Sequence, residues 1–239
     1  MNAVKAVLKF FTNPLIGFVI LLGIGFWITN RYVPPQHLPW KPLDLSRPMG
    51  LATGSQLFAL QMAPRAQCKA AMETQLPDLN FVIEPPRESE KGCGWELGIN
   101  VSSVHGVNFS PPEVMNLCPM AAANTLWIRE INGHAEKILG QKIKTILHYD
   151  TYSCRTIAGS SRLSEHAFAN AWDVSGFILT DGTTLSVLKD WNVAGPKAKF
   201  LRAARDEACG IYRVTLSPDY NAAHKDHFHI DMGPSRSCR

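Results

Sequence analysis

Two short stretches of the chain concentrate residue types that bind transition metals. The first runs from Ser164 to Asp173 and holds His166 seven residues before the aspartate. The second runs from His224 to His229 and holds three histidines within six residues. Half of the eight histidines of the chain therefore lie in these two stretches. Imidazole and carboxylate groups together are typical ligands of a borderline-soft cation such as zinc, so the pattern predicts a metal site.

The spacing of these residues indicates how they meet. His227 and His229 lie two apart on a predicted strand, so their side chains project from one face about 7 Å apart at their roots. Either both bind the metal, or one binds it while the other contacts water at the metal. Asp173 lies on a neighbouring predicted strand, and His166 lies in the loop before that strand. Three protein ligands with one open position indicate a catalytic rather than a structural zinc site.

Hydrophobic periodicity and turn residues predict the elements that position these groups. We expect helices at 57–72, with a break at Pro64, at 119–139, ending before Gly140, and at 196–209, ending before Gly210. We expect strands at 79–83, 95–99, 143–149, 171–179, 211–216 and 228–232. Helices and strands are interspersed, and short links join the late strands. The pattern favours an α+β fold with an antiparallel central sheet flanked by helices.

The N-terminal segment predicts a membrane anchor over residues 1–30. No charged residue occurs from Phe10 to Asn30, and 21 residues of helix span about 30 Å, the thickness of the hydrocarbon core of a bilayer. A cleaved signal peptide with Lys5 and Lys9 as its basic region is the alternative. Because residues 26–28 extend the apolar run past the small residues at 23–25, we favour a retained single-pass helix that contacts the membrane through residues 10–30.

Residues 31–50 carry five prolines and predict a linker. Proline cannot continue a helix and favours extended backbone, so we expect a stiff spacer that lifts the domain of residues 51–239 off the membrane.

The six cysteines are widely spaced and form no Cys-x-x-Cys motif. Behind an export signal they predict three disulfides in an oxidising compartment, with 15 pairings open. The alternative is six free thiols in a cytosolic protein. We therefore expect an extracytoplasmic domain.

The net charge of +4 comes from the first 50 residues, which hold five basic residues and one acidic residue. From Leu51 onward, 19 basic and 19 acidic residues balance. A neutral domain gives no electrostatic reason to expect nucleic acid as a partner.

The histidine stretches resemble motifs of a known enzyme group. Residues 164–173 resemble the Ser-x-His-x-x-Gly-x-Ala-x-Asp signature of zinc peptidases that include lysostaphin-type enzymes, D-Ala-D-Ala carboxypeptidases and the hedgehog domain, with Ala169 in place of the glycine. Residues 224–229 resemble the second signature of penicillin-insensitive murein endopeptidases. The chain from about residue 56 to residue 239 further resembles the extensin-like C-terminal family of bacteria.

The resemblance implies a role for each residue. The zinc ligands would be His166, Asp173 and His229. His227 would be the catalytic base, at a position where carboxypeptidase-type members carry glutamate, and His224 would line the site. The segment Tyr152–Arg155 resembles an element whose arginine faces the substrate carbonyl or carboxylate, so Arg155 would take that role.

The function implied by the resemblance is zinc-dependent hydrolysis of peptide cross-links in peptidoglycan, at the periplasmic face of a bacterial inner membrane. Histidine in place of the glutamate base favours an endopeptidase over a D,D-carboxypeptidase acting on the stem peptide. Two non-enzymatic alternatives stay open. One is a zinc-containing module that only binds peptidoglycan peptides, and the other is a structural wall protein without metal.

Overall fold

The computed structural model describes residues 14–75 and 79–239. The α-helices are α1 (Pro14–Tyr32), α2 (Thr53–Met62), α3 (Arg65–Gln75), α4 (Cys118–Leu139), α5 (Val187–Asp190) and α6 (Pro196–Ile211). The strands are β1 (Leu79–Glu84), β2 (Arg87–Glu88), β3 (Gly94–Trp95), β4 (Gly98–Val104), β5 (Val107–Ser110), β6 (Val114–Leu117), β7 (Ile143–His148), β8 (Ala171–Leu179), β9 (Thr184–Ser186), β10 (Val214–Leu216), β11 (Phe228–Asp231) and β12 (Ser237–Cys238). Short 3-10 helices cover Pro35–His37, Glu165–Phe168 and Ala222–His224.

Ten of these strands form one sheet in the order β1-β4-β5-β7-β8-β11-β10-β12, with β6 beside β4 and β9 beside β8. The α+β architecture is confirmed, but the prediction of a purely antiparallel sheet is wrong. Strand β5 pairs parallel with β7, and β10 pairs parallel with β12. The first parallel pair arises because α4 lies between β5 and β7 in the chain and acts as a crossover, which parallel neighbours require.

The core lies between the sheet and the helices α4 and α6. Trp127 of α4 is fully buried, and its indole Nε1 donates to the Ala204 carbonyl of α6 at 2.9 Å. The same ring packs against Trp172 and Phe177 of β8, with centroid distances of 6.0 and 6.2 Å. These contacts fix β8 against the helices on one face, so the opposite face of β8 is free to carry polar groups.

The predicted bounds of α4 agree with the structure to within one residue, as does the start of α6, whereas α2 begins at Thr53 and α3 ends at Gln75, outside the predicted 57–72. The helix predicted at 57–72 is two helices, α2 and α3, separated at Pro64 as expected. Gly140 ends α4 in the left-handed conformation, with φ 69°. Gly210 does not end α6, because the helix continues through Ile211, which is buried against the core. The strand predicted at 211–216 is correspondingly shorter.

All six cysteines are paired, which confirms three disulfides. The pairs are Cys68–Cys118, Cys93–Cys154 and Cys209–Cys238. The first joins α3 to the start of α4, and the third joins α6 to β12. The second joins the loop before β3 to the loop that follows β7.

Residues 35–47 pack against the domain, so the prediction of a stiff spacer is wrong. Leu38, Leu43 and Leu45 are buried. Gln56 of α2 donates from Nε2 to the carbonyls of Pro35, Leu38 and Lys41 at 2.8, 3.0 and 3.0 Å. The prolines do keep this segment out of α-helix, but the leucines between them supply apolar surface that the domain buries. We call residues 33–51 the strap.

Helix α1 has the length and composition of a membrane span. It has 19 residues, an 18-residue stretch of it has a mean hydropathy of 1.5, and none of its side chains is buried against the other described residues. A signal sequence near an N-terminus fits the same description. The predicted anchor also includes residues 1–13, among them Lys5 and Lys9, which lie outside the described residues.

Candidate metal centre

Asp173 and His229 face each other across two paired strands. Strands β8 and β11 are antiparallel, and the register places these two residues directly opposite each other. Their sequence neighbours Trp172 and Phe228 point to the other face and are fully buried in the core. Alternation along each strand thus sends the apolar side chains to the helices and the metal-binding types to one shared face.

His166 reaches the same place from a 3-10 helix that precedes β8. Ser164 begins this helix, and its hydroxyl accepts a hydrogen bond from the backbone N–H of His166 at 3.4 Å. Ala169 ends it with φ 53° and ψ 33°, a left-handed conformation that glycine adopts more readily. The loop therefore does need the backbone that the glycine of the resembled signature would provide, and alanine adopts it here. The His166 side chain is fully buried.

The side chains of three residues converge at this point. His166 Nε2 lies 3.2 Å from His229 Nδ1 and 3.2 Å from Asp173 Oδ2, and His229 Nδ1 lies 2.9 Å from Asp173 Oδ1. Ligand atoms about 2.05 Å from a tetrahedral zinc ion lie about 3.3 Å from each other, so the spacing fits that ion. Two imidazole nitrogens that face each other beside a single carboxylate also form an electron-rich cluster, which a cation would satisfy. The resemblance of the two histidine stretches selected these three residues, and the structure brings them together.

Asp231 holds the outer side of the His229 ring. Its Oδ2 lies 2.9 Å from His229 Nε2, while Oδ1 accepts from the backbone N–H of Gly233 at 2.8 Å. Hydrogen bonding to a carboxylate fixes the ring orientation and leaves Nδ1 turned toward Asp173 and His166. Burial lowers the pKa of His229, but hydrogen bonds and charge from Asp173 and Asp231 outweigh burial and raise it to about 9.

Asp173 is held in its ionised form. Burial alone would raise the pKa of this carboxyl group, but hydrogen bonds and charge from His166 and His229 lower it strongly. An ionised aspartate between two imidazoles is the form that binds a divalent cation.

His227 lies just outside this cluster. Its Nε2 is 3.7 Å from Asp173 Oδ1, and its Nδ1 is 2.9 Å from Asp226 Oδ1. Tyr149 donates to the other oxygen of Asp226 at 3.4 Å and packs edge-on against the His227 ring at 5.9 Å. Asp226 and Tyr149 together orient the imidazole so that Nε2 faces the cluster.

His224 lines the site at greater distance. Its ring centroid is 5.2 Å from that of His227 and 6.0 Å from that of His229, and its Nδ1 lies 2.8 Å from Asn221 Oδ1. Burial, followed by the charges of the two neighbouring histidines, lowers the pKa of His224 to about 4. The side chain is therefore neutral at pH 7.

Arg155 lines the same cavity, which has a volume of about 560 Å³. Its exposed guanidinium has no hydrogen-bond or ion-pair partner within the described ranges 14–75 and 79–239. The loop is fixed by the disulfide at Cys154 and by the backbone bond from Ser153 N–H to the His166 carbonyl at 3.1 Å. Tyr152 packs edge-on against Trp95 at 4.9 Å. The loop is therefore tied to the His166 segment while its arginine stays available to a ligand.

Sequence reasoning missed Asp226 and Asp231. Both lie next to the second histidine stretch, and Asp231 is two residues beyond His229 on the same strand. The alternation that grouped His227 with His229 would also have grouped Asp231 with them. Tyr149 could not be selected from the sequence, because it lies far from Asp226 in the chain and contacts it only in the folded structure.

A comparison with family models matches most of the chain. The model described as extensin-like protein C-terminus covers residues 66–239, which include every residue of the cluster. Neither the curated proteins nor the solved structures give a significant match. Because the family model covers well over half of the sequence, the chain belongs to the extensin-like protein C-terminus family.

Proposed function

We propose that this protein is a zinc-dependent peptidase that cleaves peptide cross-links of peptidoglycan. The observation that supports the proposal best is the convergence of His166, Asp173 and His229. Asp173 and His229 line a cavity together with His227. Zinc, when bound by the three residues, supplies Lewis acidity that polarises an amide carbonyl and activates water.

Two further residues transfer the proton and stabilise the charge that this transfer creates. His227 Nε2 faces the cluster and can accept a proton from the attacking water, then return it to the leaving amine. The Asp226 carboxylate is hydrogen-bonded to Nδ1 of His227. It stabilises the imidazolium that exists between the two proton transfers. His227 differs from the three ligands in its position, because its Nε2 lies outside their cluster, 3.7 Å from Asp173 Oδ1.

Arg155 suits an anionic group. Its exposed guanidinium lines the cavity and can bind a substrate carboxylate or stabilise negative charge that develops on a carbonyl oxygen. His224 can accept a hydrogen bond, because it stays neutral at pH 7. Wall peptides carry free carboxylates and amides, so the lining fits that substrate class. Histidine as base favours cross-link endopeptidase action over carboxypeptidase action.

The proposed location agrees with the three disulfides and the apolar helix. Helix α1 would span the inner membrane once, and the disulfide-bonded domain would lie in the oxidising periplasm, where peptidoglycan is accessible.

The test is digestion of purified sacculi with the full-length protein and zinc, followed by chromatography of the muropeptides. Cross-linked dimers should decrease while monomers increase. His227→Ala should keep its zinc and lose at least about 100-fold in hydrolysis, because a general base contributes about 100-fold to 10,000-fold. Binding of muropeptides without new products would instead indicate a non-catalytic module. Full turnover by His227→Ala would show that the base is assigned wrongly.

A further inference from the structure

The strap stays close to α1 instead of leading away from it, and it joins the domain almost directly after the helix ends. Only Val33 and Pro34 separate the end of α1 from the 3-10 helix at Pro35–His37, where Gln56 already binds the Pro35 carbonyl. The backbone N–H of Ala52 donates to the Gln36 carbonyl at 2.9 Å. The folded domain therefore begins within a few residues of the apolar helix.

Trp40 of the strap contacts α1 well before the helix ends. Its ring lies 5.6 Å from that of Phe26, and its Nε1 donates to Asn30 Oδ1 at 3.3 Å. Phe26 precedes the last residue of α1 by six positions, which is about 9 Å along a helix. A helix of 19 residues is about 28 Å long and matches the hydrocarbon core closely. Trp40 therefore lies within about 9 Å of the membrane boundary whenever α1 spans a bilayer.

Neighbouring apolar side chains of the strap are also exposed. Trp40 is 53% exposed and Leu51 is 94% exposed, although the strap backbone packs on the domain. The Leu51 N–H donates to His37 Nδ1 at 3.1 Å, which holds Leu51 beside the 3-10 helix that follows α1. Val33, directly after α1, is 37% exposed. Exposed apolar side chains therefore lie on both ends of the strap as well as at Trp40.

We propose that the strap is a membrane-contacting face that seats the domain on the bilayer crossed by α1. Trp40 enters the boundary between headgroups and acyl chains, where an indole places its apolar ring and its N–H favourably. Leu51 and Val33 contact the same boundary. The inference rests on the membrane placement of α1 but not on the proposed zinc chemistry.

The experiment uses the full-length protein in nanodiscs made of ordinary or acyl-brominated phosphatidylcholine. Subtracting the emission of a Trp→Phe variant from that of the wild type isolates each tryptophan. The difference for Trp40→Phe gives the emission of the strap tryptophan, and the difference for Trp27→Phe gives that of the α1 tryptophan. Trp191→Phe is the control, because Trp191 is 1% exposed within the domain. Phenylalanine retains an aromatic ring beside Phe26, so the fold is expected to persist.

Brominated lipid should reduce the Trp40 and Trp27 contributions about twofold or more, while that of Trp191 stays unchanged. Aqueous iodide should leave Trp40 unquenched. If brominated lipid quenches Trp27 while only iodide quenches Trp40, α1 is inserted in the bilayer but the strap does not contact it, and the proposal is wrong. If neither is quenched by lipid, α1 is not inserted and the inference fails together with the anchor.

Discussion

His229 and Asp231 lie two residues apart on β11, and the Nε2 of the histidine is 2.9 Å from the Oδ2 of the aspartate. Just before this pair in the chain, the adjacent residues Asp226 and His227 form a second pair of the same kind, with Nδ1 2.9 Å from Oδ1. One carboxylate therefore orients a proposed metal ligand, and the other orients the proposed base. The two pairs make separate predictions possible.

Asp231→Asn should lower zinc affinity by about 10-fold to 100-fold, the usual cost of losing the outer partner of a ligating histidine. The reason is that the amide keeps the shape but loses the charge that holds the His229 ring. Asp226→Asn is the matched control, and it should leave zinc affinity unchanged while slowing hydrolysis. Chelator competition measures both affinities. Equal losses of affinity in the two variants would contradict the assignment.

Zinc affinity should rise with pH between 7 and 9. The pKa of metal-free His229 is about 9, so below that pH the ring carries a proton that must leave before zinc binds. The apparent association constant should therefore increase about tenfold per pH unit and level off above pH 9. Asp173 adds no dependence in this range, because its pKa is lowered and it is already ionised. Titrations at pH 7, 8 and 9 measure the slope, and a flat profile would contradict the role of His229.

Ala169→Val should destabilise the protein by about 2 kcal/mol or more, because a β-branched residue strongly disfavours positive φ. The native φ is 53°, and the residue ends the 3-10 helix that carries His166. Ala169→Gly is the control. In this variant the relief of backbone strain offsets the lost methyl group and the greater entropy of the unfolded chain. The free energy of unfolding should therefore change by less than about 1 kcal/mol. Thermal unfolding measures both, and equal stability of the valine variant would show that the backbone is relaxed.

Gln56→Ala should destabilise the strap, because one side-chain amide donates to three strap carbonyls. The expected loss is about 1 to 3 kcal/mol, since buried carbonyls lose their partner. Gln67→Ala, at an exposed position of α3, should change stability by less than about 0.5 kcal/mol. Denaturant unfolding compares the two. If both variants unfold alike, the strap does not depend on Gln56.

The sequence placed the two histidine stretches near each other through their predicted strands, but strand alternation alone did not decide which histidines belong to the cluster. The resemblance selected His166, Asp173 and His229, and β8 has the predicted bounds. The crossover through α4 was not predictable, because β5 and β6 are only four residues each and alternation over so few residues is a weak signal. The packed strap was missed because its prolines indicated extended backbone, whereas Leu38, Leu43 and Leu45 determine where that backbone lies.

The proposal that three side chains share one zinc ion is tested most directly by elemental analysis of the purified full-length protein after zinc loading and gel filtration. The wild type should hold about one zinc per chain, and Asp173→Asn and His166→Ala should hold far less, because a site with two of its three protein ligands binds weakly. His227→Ala should keep the wild-type content. A wild-type protein without zinc, or equal zinc in all four proteins, would contradict the account.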